Sequence, residues 1–534
     1  MAARWRDAGG QEAPRSAGAS PTPAPPALRA LAIHLLDELA SIPSPLATQE
    51  PTDIEAIRSA TPTWPRGESP THPPTQGPED QAPGNPPTPG RSPAGGPGPE
   101  APTHPPAQAP GDQAPGNPPA LPLRGPGRSP EGVRGRSPAS GVQGAQPPPG
   151  GPGAEPPENH LPQPHPRRVA GRGGVGEIHA LHAAWLGRAA GCLLGKPVEK
   201  LPLHGIREIA RATGNWPLHT WFTATGLPAD LATAYPWNRR SAPTSLAENI
   251  DGMPEDDDLN YPLLGLLLLQ RHGRRFTTAQ VARLWLDELP AGRTFTAERV
   301  AYRNLLDGIE PPHTATHRNP FREWIGAAIR ADVHGWTNPG DPAAAAEQAH
   351  RDAVLTHTAN GVYGAMFTAA AISLAATGAY DVHDCLNGGL AVIPPRSRLA
   401  EAVRLGIHLA HREGDFDTVV DHLHTALGGY HWVHSVPNAA LLAAALTHAD
   451  GDFSGSICRA VSGGWDTDSN GATAGSLAGL LAGHPDALPA RWTAPLKNRL
   501  ATTVADFDGT GFDTLAELTA RLTSPHIPQE VRSA

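Results

Sequence analysis

Cysteine is nearly missing: Cys192, Cys385 and Cys458 are the only three in 534 residues, and no two of them form a CxxC pair. They are too few and too far apart for a disulfide framework, so a reduced compartment, the cytoplasm, is expected. Lysine is as rare, with Lys196, Lys200 and Lys497 alone. Positive charge is not in excess either, since 52 acidic residues face 42 basic ones for a formal charge of −10. That balance leaves no footprint for a phosphate backbone, and nucleic acid is not expected as a partner. Long apolar runs are absent. The longest aliphatic stretch, Leu266 to Leu269 with Leu263, Leu264 and Gly265 ahead of it, is far short of a membrane span, and the opening Met-Ala-Ala-Arg-Trp-Arg-Asp lacks an apolar signal core. A soluble protein with no membrane partner is expected. Alternating β-branched runs are scarce as well, which argues against strands.

What is abundant is proline and glycine, 63 and 58 residues, and they are unevenly placed. Of the prolines, 41 precede residue 171 and 22 serve the remaining 364 residues, so the chain is two materials in series. Residues 71–87 recur at 103–119 with a spacing of 32, and GRSP appears at 90, 127 and 135. Neither unit has the apolar face that stacked repeats bury, so residues 1–170 are expected to form a disordered, partly polyproline II tail. One island interrupts it. Leu28, Leu31, Ile33, Leu35, Leu36 and Leu39 have near-helical spacing, which predicts a short helix at 28–41, transient, loosely docked, or binding an unidentified protein.

From residue 176 to 530 the texture is Ala/Leu-rich with helix punctuation, and an almost wholly helical domain is expected. Thr277 to Gln280 is a capping-box pattern, with Phe276 placed to staple onto Val281. Asp341-Pro342 has the N-cap and first-turn proline of another helix, and 399–412, 438–448 and 513–522 repeat the style.

Two acidic clusters each precede an apolar helical segment: Glu255-Asp256-Asp257-Asp258 and Asp466-Thr467-Asp468-Ser469-Asn470. Carboxylates are ordinary at helix N-termini, where they cap free N–H groups. A cap needs one carboxylate, however, and here there are four in one place and an Asp-x-Asp-Ser in the other. Oxygen-only ligands of this kind suit Mg²⁺, Mn²⁺ or Ca²⁺. Asp506, Asp508, Thr510, Gly511 and Glu517 fall at calcium-loop offsets, but FDTLAEL from Phe512 reads as a capped helix start instead.

These residues resemble a known family. Gly191-Cys192-Leu193-Leu194-Gly195-Lys196-Pro197-Val198-Glu199 is similar to the G-D-x-x-G-x-P-x-E opening of ADP-ribosylglycohydrolases, the dinitrogenase-reductase-activating type. Glu255 to Asp258 lies where that family has T/S-D-D-T, and Gly464-Trp465-Asp466-Thr467-Asp468-Ser469-Asn470 resembles its closing G-x-D-T-D-T/S/C-N. Gly326 to Arg330 is similar to the N-G-x-A-M-R loop, and Leu355-Thr356-His357 to the L-T-H segment. The resemblance implies an all-α orthogonal bundle with two Mg²⁺ ions, Mn²⁺ being possible, that hydrolyses the glycosidic bond at the distal ribose of an ADP-ribosyl group. Carried over by position, Glu255, Asp256, Asp257, Asp466, Asp468 and Ser469 would hold the metals. Glu199, Asp257 and Asp468 would be catalytic, and Gly326, Arg330, His357, Gly463, Gly464 and Trp465 would meet the substrate, an ADP-ribosylated protein or small ADP-ribose derivative. A non-catalytic ADP-ribose sensor and a metal hydrolase of another nucleoside or phosphate ester are the competing readings.

The departures from the family pattern concern metal and substrate rather than fold. Glu255 stands for a hydroxyl residue, Asp258 for the second threonine, Cys192 for an aspartate and Ile325 for an asparagine. An extra carboxylate at 255 predicts altered metal spacing, and cysteine at 192 predicts the loss of a supporting hydrogen bond.

Overall fold

The computed structural model describes residues 1–10, 23–42, 44–65 and 174–523. The duplication and the rest of the tail from 66 to 173 lie outside the described residues. Among the described residues there is no strand, only the isolated bridges Met253–Leu500 and Trp324–His434, and the all-α expectation holds.

The helix signals read from the sequence have physical counterparts. Thr277 and Gln280 close a capping box at the start of Thr278–Glu288, with Phe276 and Val281 both buried beside it. Asp341 caps Pro342–Ala353 by accepting the Ala344 amide at 2.9 Å. Arg398–Arg412, Ser435–His448 and Phe512–Ala520 supply the other three. The last begins where the calcium-loop reading was set aside.

At the centre lie two antiparallel helices, Val175–Gly195 and Thr467–Ala482, pressed together along glycines. A Cβ on Gly187 would fall 2.1 Å from the Gly475 carbonyl oxygen, one on Gly191 1.9 Å from that of Gly471, and one on Gly479 2.3 Å from that of Ala183. Main chain therefore touches main chain over three turns, which only residues without side chains allow. The small residues of the segment after Asp466 serve this seam.

One helix corrects the reading of apolar runs. Ala359–Thr377 is long and apolar enough to cross a membrane by length and composition, yet it is almost entirely buried within the fold. Its alanines and glycines, interspersed with Val362, Met366, Phe367 and Ile372, are interior packing on all sides.

The tail boundary at 170 also needs correction. The short helix is present as Pro26–Ala40, with Leu35 buried and Asp37 held by Arg318 at 2.7 and 2.8 Å. More consequential is the stretch 44–65, which packs on the globular part. Asp53 caps Ile54–Ala60, Ile57 is fully buried in the main core, and Trp64 packs against that core. Glu50 takes both the backbone N–H and the guanidinium of Arg398, and the Thr52 carbonyl meets His350 Nε2 at 2.8 Å. Tyr363 donates to the Pro51 carbonyl, and Arg58 pairs with Glu347. This strap is a piece of the domain, separated from it in sequence by the proline-rich segment.

Candidate active site

The glycine seam runs antiparallel, so the C-terminal end of Val175–Gly195 meets the N-terminal end of Thr467–Ala482. Gly195 touches the Thr467 carbonyl and the Asp468 amide, and Thr467 Oγ1 donates to the Gly195 carbonyl at 2.8 Å. Glu199, one short turn beyond, is thereby brought to Asp466 and Asp468. Asn438 fixes the acidic turn from the other side: its Oδ1 accepts the Asp466 amide at 3.1 Å and Asn470 Nδ2 at 2.7 Å.

The second cluster arrives through Arg188, a fully buried arginine two turns below Gly195. Its Nε donates to the Asp258 carbonyl at 2.7 Å, its Nη2 meets the Asp258 carboxylate at 3.3 Å, and its Nη1 meets Asp332 at 2.7 Å. This pins the N-terminus of Asp257–His272 to the central pair. Cys192 Sγ lies 3.8 Å from Asp258 Oδ2, so the thiol supplies a weak donor and the expected loss of support is only partial. A carboxylate at 192 would have to be packed against Asp256 and Asp258.

Asp468 lies near enough to Asp257 and Asp258 for their charges to interact, and among the described residues the group whose ligand atoms lie within 4.8 Å of one another is Cys192, Asp256 and Asp258. Burial, together with Asp256, Asp258, Asp468 and Glu199, pushes Asp257 well above the carboxylate range. Burial and then Asp468 do the same to Asp466, and burial, Glu199 and Asp256 push Asp468 up to about 7. Asp468 is the link, acting on both Asp257 and Asp466 in a site that water reaches poorly. Asp257 keeps partial access to solvent. Among the described residues no arginine or lysine pairs with Asp257, Asp466 or Asp468.

The other two expected ligands are differently engaged. Asp256 caps its helix through Oδ1, which accepts the Asp258 amide at 2.9 Å, and its Oδ2 pairs with the ammonium of Lys196. Although burial works the other way, Lys196 holds Asp256 below the ordinary range. Glu255 is turned to Arg293 Nη2 at 2.6 Å and Asn260 Nδ2 at 3.3 Å. Glu255, expected to extend the metal site, reaches an arginine with its longer side chain in this structure. Ser469 is buried beside Asp468, its amide 3.2 Å from Asp468 Oδ1. Glu199 is held by Asn238 Nδ2 at 2.6 Å and Lys200 Nζ at 3.0 Å.

The expected substrate contacts fare less well, because most of these groups are used inside the protein. Arg330 is buried, bonding Asp352 Oδ1 at 2.9 Å, Glu298 Oε1 at 3.2 Å, the Gly326 carbonyl at 2.9 Å and Thr356 Oγ1 at 2.8 Å. His357 is buried beside it, Nδ1 2.6 Å from Thr356 Oγ1 and Nε2 3.8 Å from Glu298; burial and then Arg330 keep it neutral. These two side chains brace the 325–330 loop. Gly326 is required there, since a Cβ would fall 2.0 Å from Glu298 Oε1. The amides of Gly463 and Gly464 donate to the Arg459 and Val461 carbonyls, both at 3.2 Å, so they close a helix end rather than face a diphosphate. Trp465 is buried with left-handed φ of 55° and stacks on His424 at 4.0 Å.

Sequence reasoning passed over Lys196, Arg188, Asn438 and the Glu298–Asp352 pair. For Lys196 a signal existed: of the three lysines in the chain, one lies within the motif that ends at Glu199 and a second follows it directly. The rest gave none, because their partners are far away in sequence.

No curated protein matches the chain. A solved structure titled "ADP-ribosylglycohydrolase-related protein complex" aligns at 21% identity with a TM-score of 0.42, covering 65% of this chain and 99% of that one. The family model for ADP-ribosylglycohydrolase matches residues 178–527, a span that holds the seam, both acidic helix starts and Glu199. The chain belongs to the ADP-ribosylglycohydrolase family, whose members hydrolyse glycosidic bonds.

Proposed function

We propose that the protein is a divalent-metal-dependent hydrolase that cleaves the bond at the distal ribose of an ADP-ribosylated protein or a small ADP-ribose derivative, releasing ADP-ribose. One observation carries the reading. Asp257, Asp466 and Asp468, from two helix starts far apart in sequence, are buried near other carboxylates, and among the described residues no arginine or lysine forms an ion pair with them, although Lys196 lies close enough to Asp468 for their charges to interact. Three such carboxylates, with the hydroxyl residue Ser469 next to Asp468 in the chain, are hard-oxygen donors of the kind that suits Mg²⁺ or Mn²⁺. A bound ion would supply Lewis-acid stabilisation of charge developing on the ribose.

The protein's own groups then have definable tasks. Glu199, held by Asn238 and Lys200 and near enough to Asp466 and Asp468 for their charges to interact, would hold or move a proton at the leaving atom of the glycosidic bond. Asn438 and Thr467 keep the Asp466–Asp468 turn in place against Gly195. The buried Arg330 network holds the 325–330 loop.

The test is release of free ADP-ribose from ADP-ribosylated protein with Mg²⁺ or Mn²⁺ present. Turnover is expected, with losses of about 10²-fold or more in Asp257→Asn and Asp468→Asn. Turnover surviving both replacements refutes the site. Binding of ADP-ribose without turnover makes the protein a sensor, and turnover confined to another nucleoside or phosphate ester replaces the substrate.

A further inference from the structure

Lys196 stands inside the acidic site rather than on its rim. Its side chain is only 8% exposed, its ammonium pairs with Asp256 Oδ2, and the Glu255 carbonyl lies 3.4 Å away. It has little freedom to leave. The preceding Gly195 is pressed against the Thr467–Asp468 backbone, and the following Pro197 is buried with a fixed φ. Both oxygens of Asp256 thus already accept a donor, one from Lys196 and one from the Asp258 amide. Glu255 is likewise turned to Arg293 and Asn260.

Of the six side chains that the family pattern assigns to two ions, two are engaged by cations of the chain itself. Those left are Asp257, Asp466, Asp468 and Ser469. Three carboxylates and a hydroxyl, completed by water or substrate, suit one six-coordinate ion rather than two. We propose that the ammonium of Lys196 takes the place of a second divalent cation, so that the site binds a single metal ion. This inference rests on the reading that the acidic site holds metal at all.

The lysine is a built-in counter-charge. It holds Asp256 in place whatever the metal supply, and a chelator cannot remove it. The remaining ion is bound by Asp257 and the Asp466–Asp468 turn, across the glycine seam from Glu199.

The experiment is titration of the full chain with Mn²⁺, followed by calorimetry for stoichiometry and by electron paramagnetic resonance for coupling between ions. The native protein is expected to bind one ion with an uncoupled six-line spectrum. Lys196→Met, similar in length but without charge, is expected to bind a second ion and to show a spin-coupled spectrum, while Lys196→Arg stays at one. Two ions in the native protein, or one ion in a Lys196→Met variant that melts cooperatively, overturns the proposal. Should Lys196→Met not fold, Asp256→Asn decides: it keeps the helix cap and is expected to retain the single ion, and its loss shows that Asp256 is a metal ligand. No binding by either the native protein or Lys196→Met refutes the underlying metal reading together with this inference, a result distinct from a stoichiometry of two.

Discussion

Removing the strap, residues 44–65, is predicted to cost the domain a large part of its stability. Ile57 is fully buried in the main core, and Trp64 packs against the same core. An isoleucine buried in this way contributes about 1.5–3 kcal/mol, and its truncation to alanine costs about 2–4 kcal/mol once the cavity is included. Glu50 is buried against Arg398, which also serves Glu323. Its loss leaves Arg398 with one carboxylate instead of two and strips the Arg398 amide of its acceptor, a further cost of about 1–3 kcal/mol. Together these effects approach about 5 kcal/mol, the lower edge of the total stability of a typical domain. Thermal unfolding of three proteins tests the reasoning. Starting the chain at residue 174 should lower the melting temperature steeply or prevent folding, and Ile57→Ala should lower it by about 3–5 °C. Starting at residue 44 should change little, since Pro26–Ala40 is tied mainly by exposed ion pairs such as Arg318–Asp37, each worth about 0–1 kcal/mol. Equal melting temperatures for the chains starting at 44 and at 174 would refute the reasoning.

Three further predictions concern the domain itself. Gly191→Ala, whose Cβ would fall 1.9 Å from the Gly471 carbonyl oxygen, is expected to destabilise by about 3 kcal/mol or more and to weaken Mn²⁺ binding, measured by denaturant unfolding and calorimetry. Chelator is expected to lower the melting temperature and added Mg²⁺ or Mn²⁺ to raise it, with no shift in Asp468→Asn. Burial and then Arg398 pull His434 down to about 4, so its neutral form contributes stability that is complete above about pH 6.5 and is lost as pH falls toward 4. The unfolding free energy should therefore lose up to about 2 kcal/mol from this residue by pH 5, and His434→Asn, which can keep an acceptor for the Val436 amide, should flatten that part of the decline.

Local signals were legible in the sequence and long-range ones were not. The capping box at Thr277, the caps at Asp341 and the acidic helix starts are written within four or five consecutive residues, and the structure bears out the helices they announce. The strap was hidden because its evidence is split: Asp53, Ile54 and Ile57 make one weak turn between prolines, while Arg398, His350 and Tyr363, which hold it, come some three hundred residues later. Arg330 and His357 are expected to face a ligand only through their positions in the motifs that resemble the family's. Glu298 and Asp352, distant in sequence, turn both side chains inward. Glu255 is expected from its motif position to be one more metal ligand, and its pairing with Arg293, thirty-eight residues away, has no local signal.

The closest contacts between Val175–Gly195 and Thr467–Ala482, at Gly187, Gly191 and Gly479, are backbone against backbone, so they have no rotamers through which to relax. Their separation cannot drift by small steps as a side-chain interface can: either the two backbones are in contact or they have parted and water has entered between them. Ion affinity in this protein should for that reason behave as a two-valued reporter of the whole bundle, vanishing in the same transition that unfolds the core. Mild denaturant ought to leave a fraction of molecules with full affinity rather than a population with gradually weakened sites.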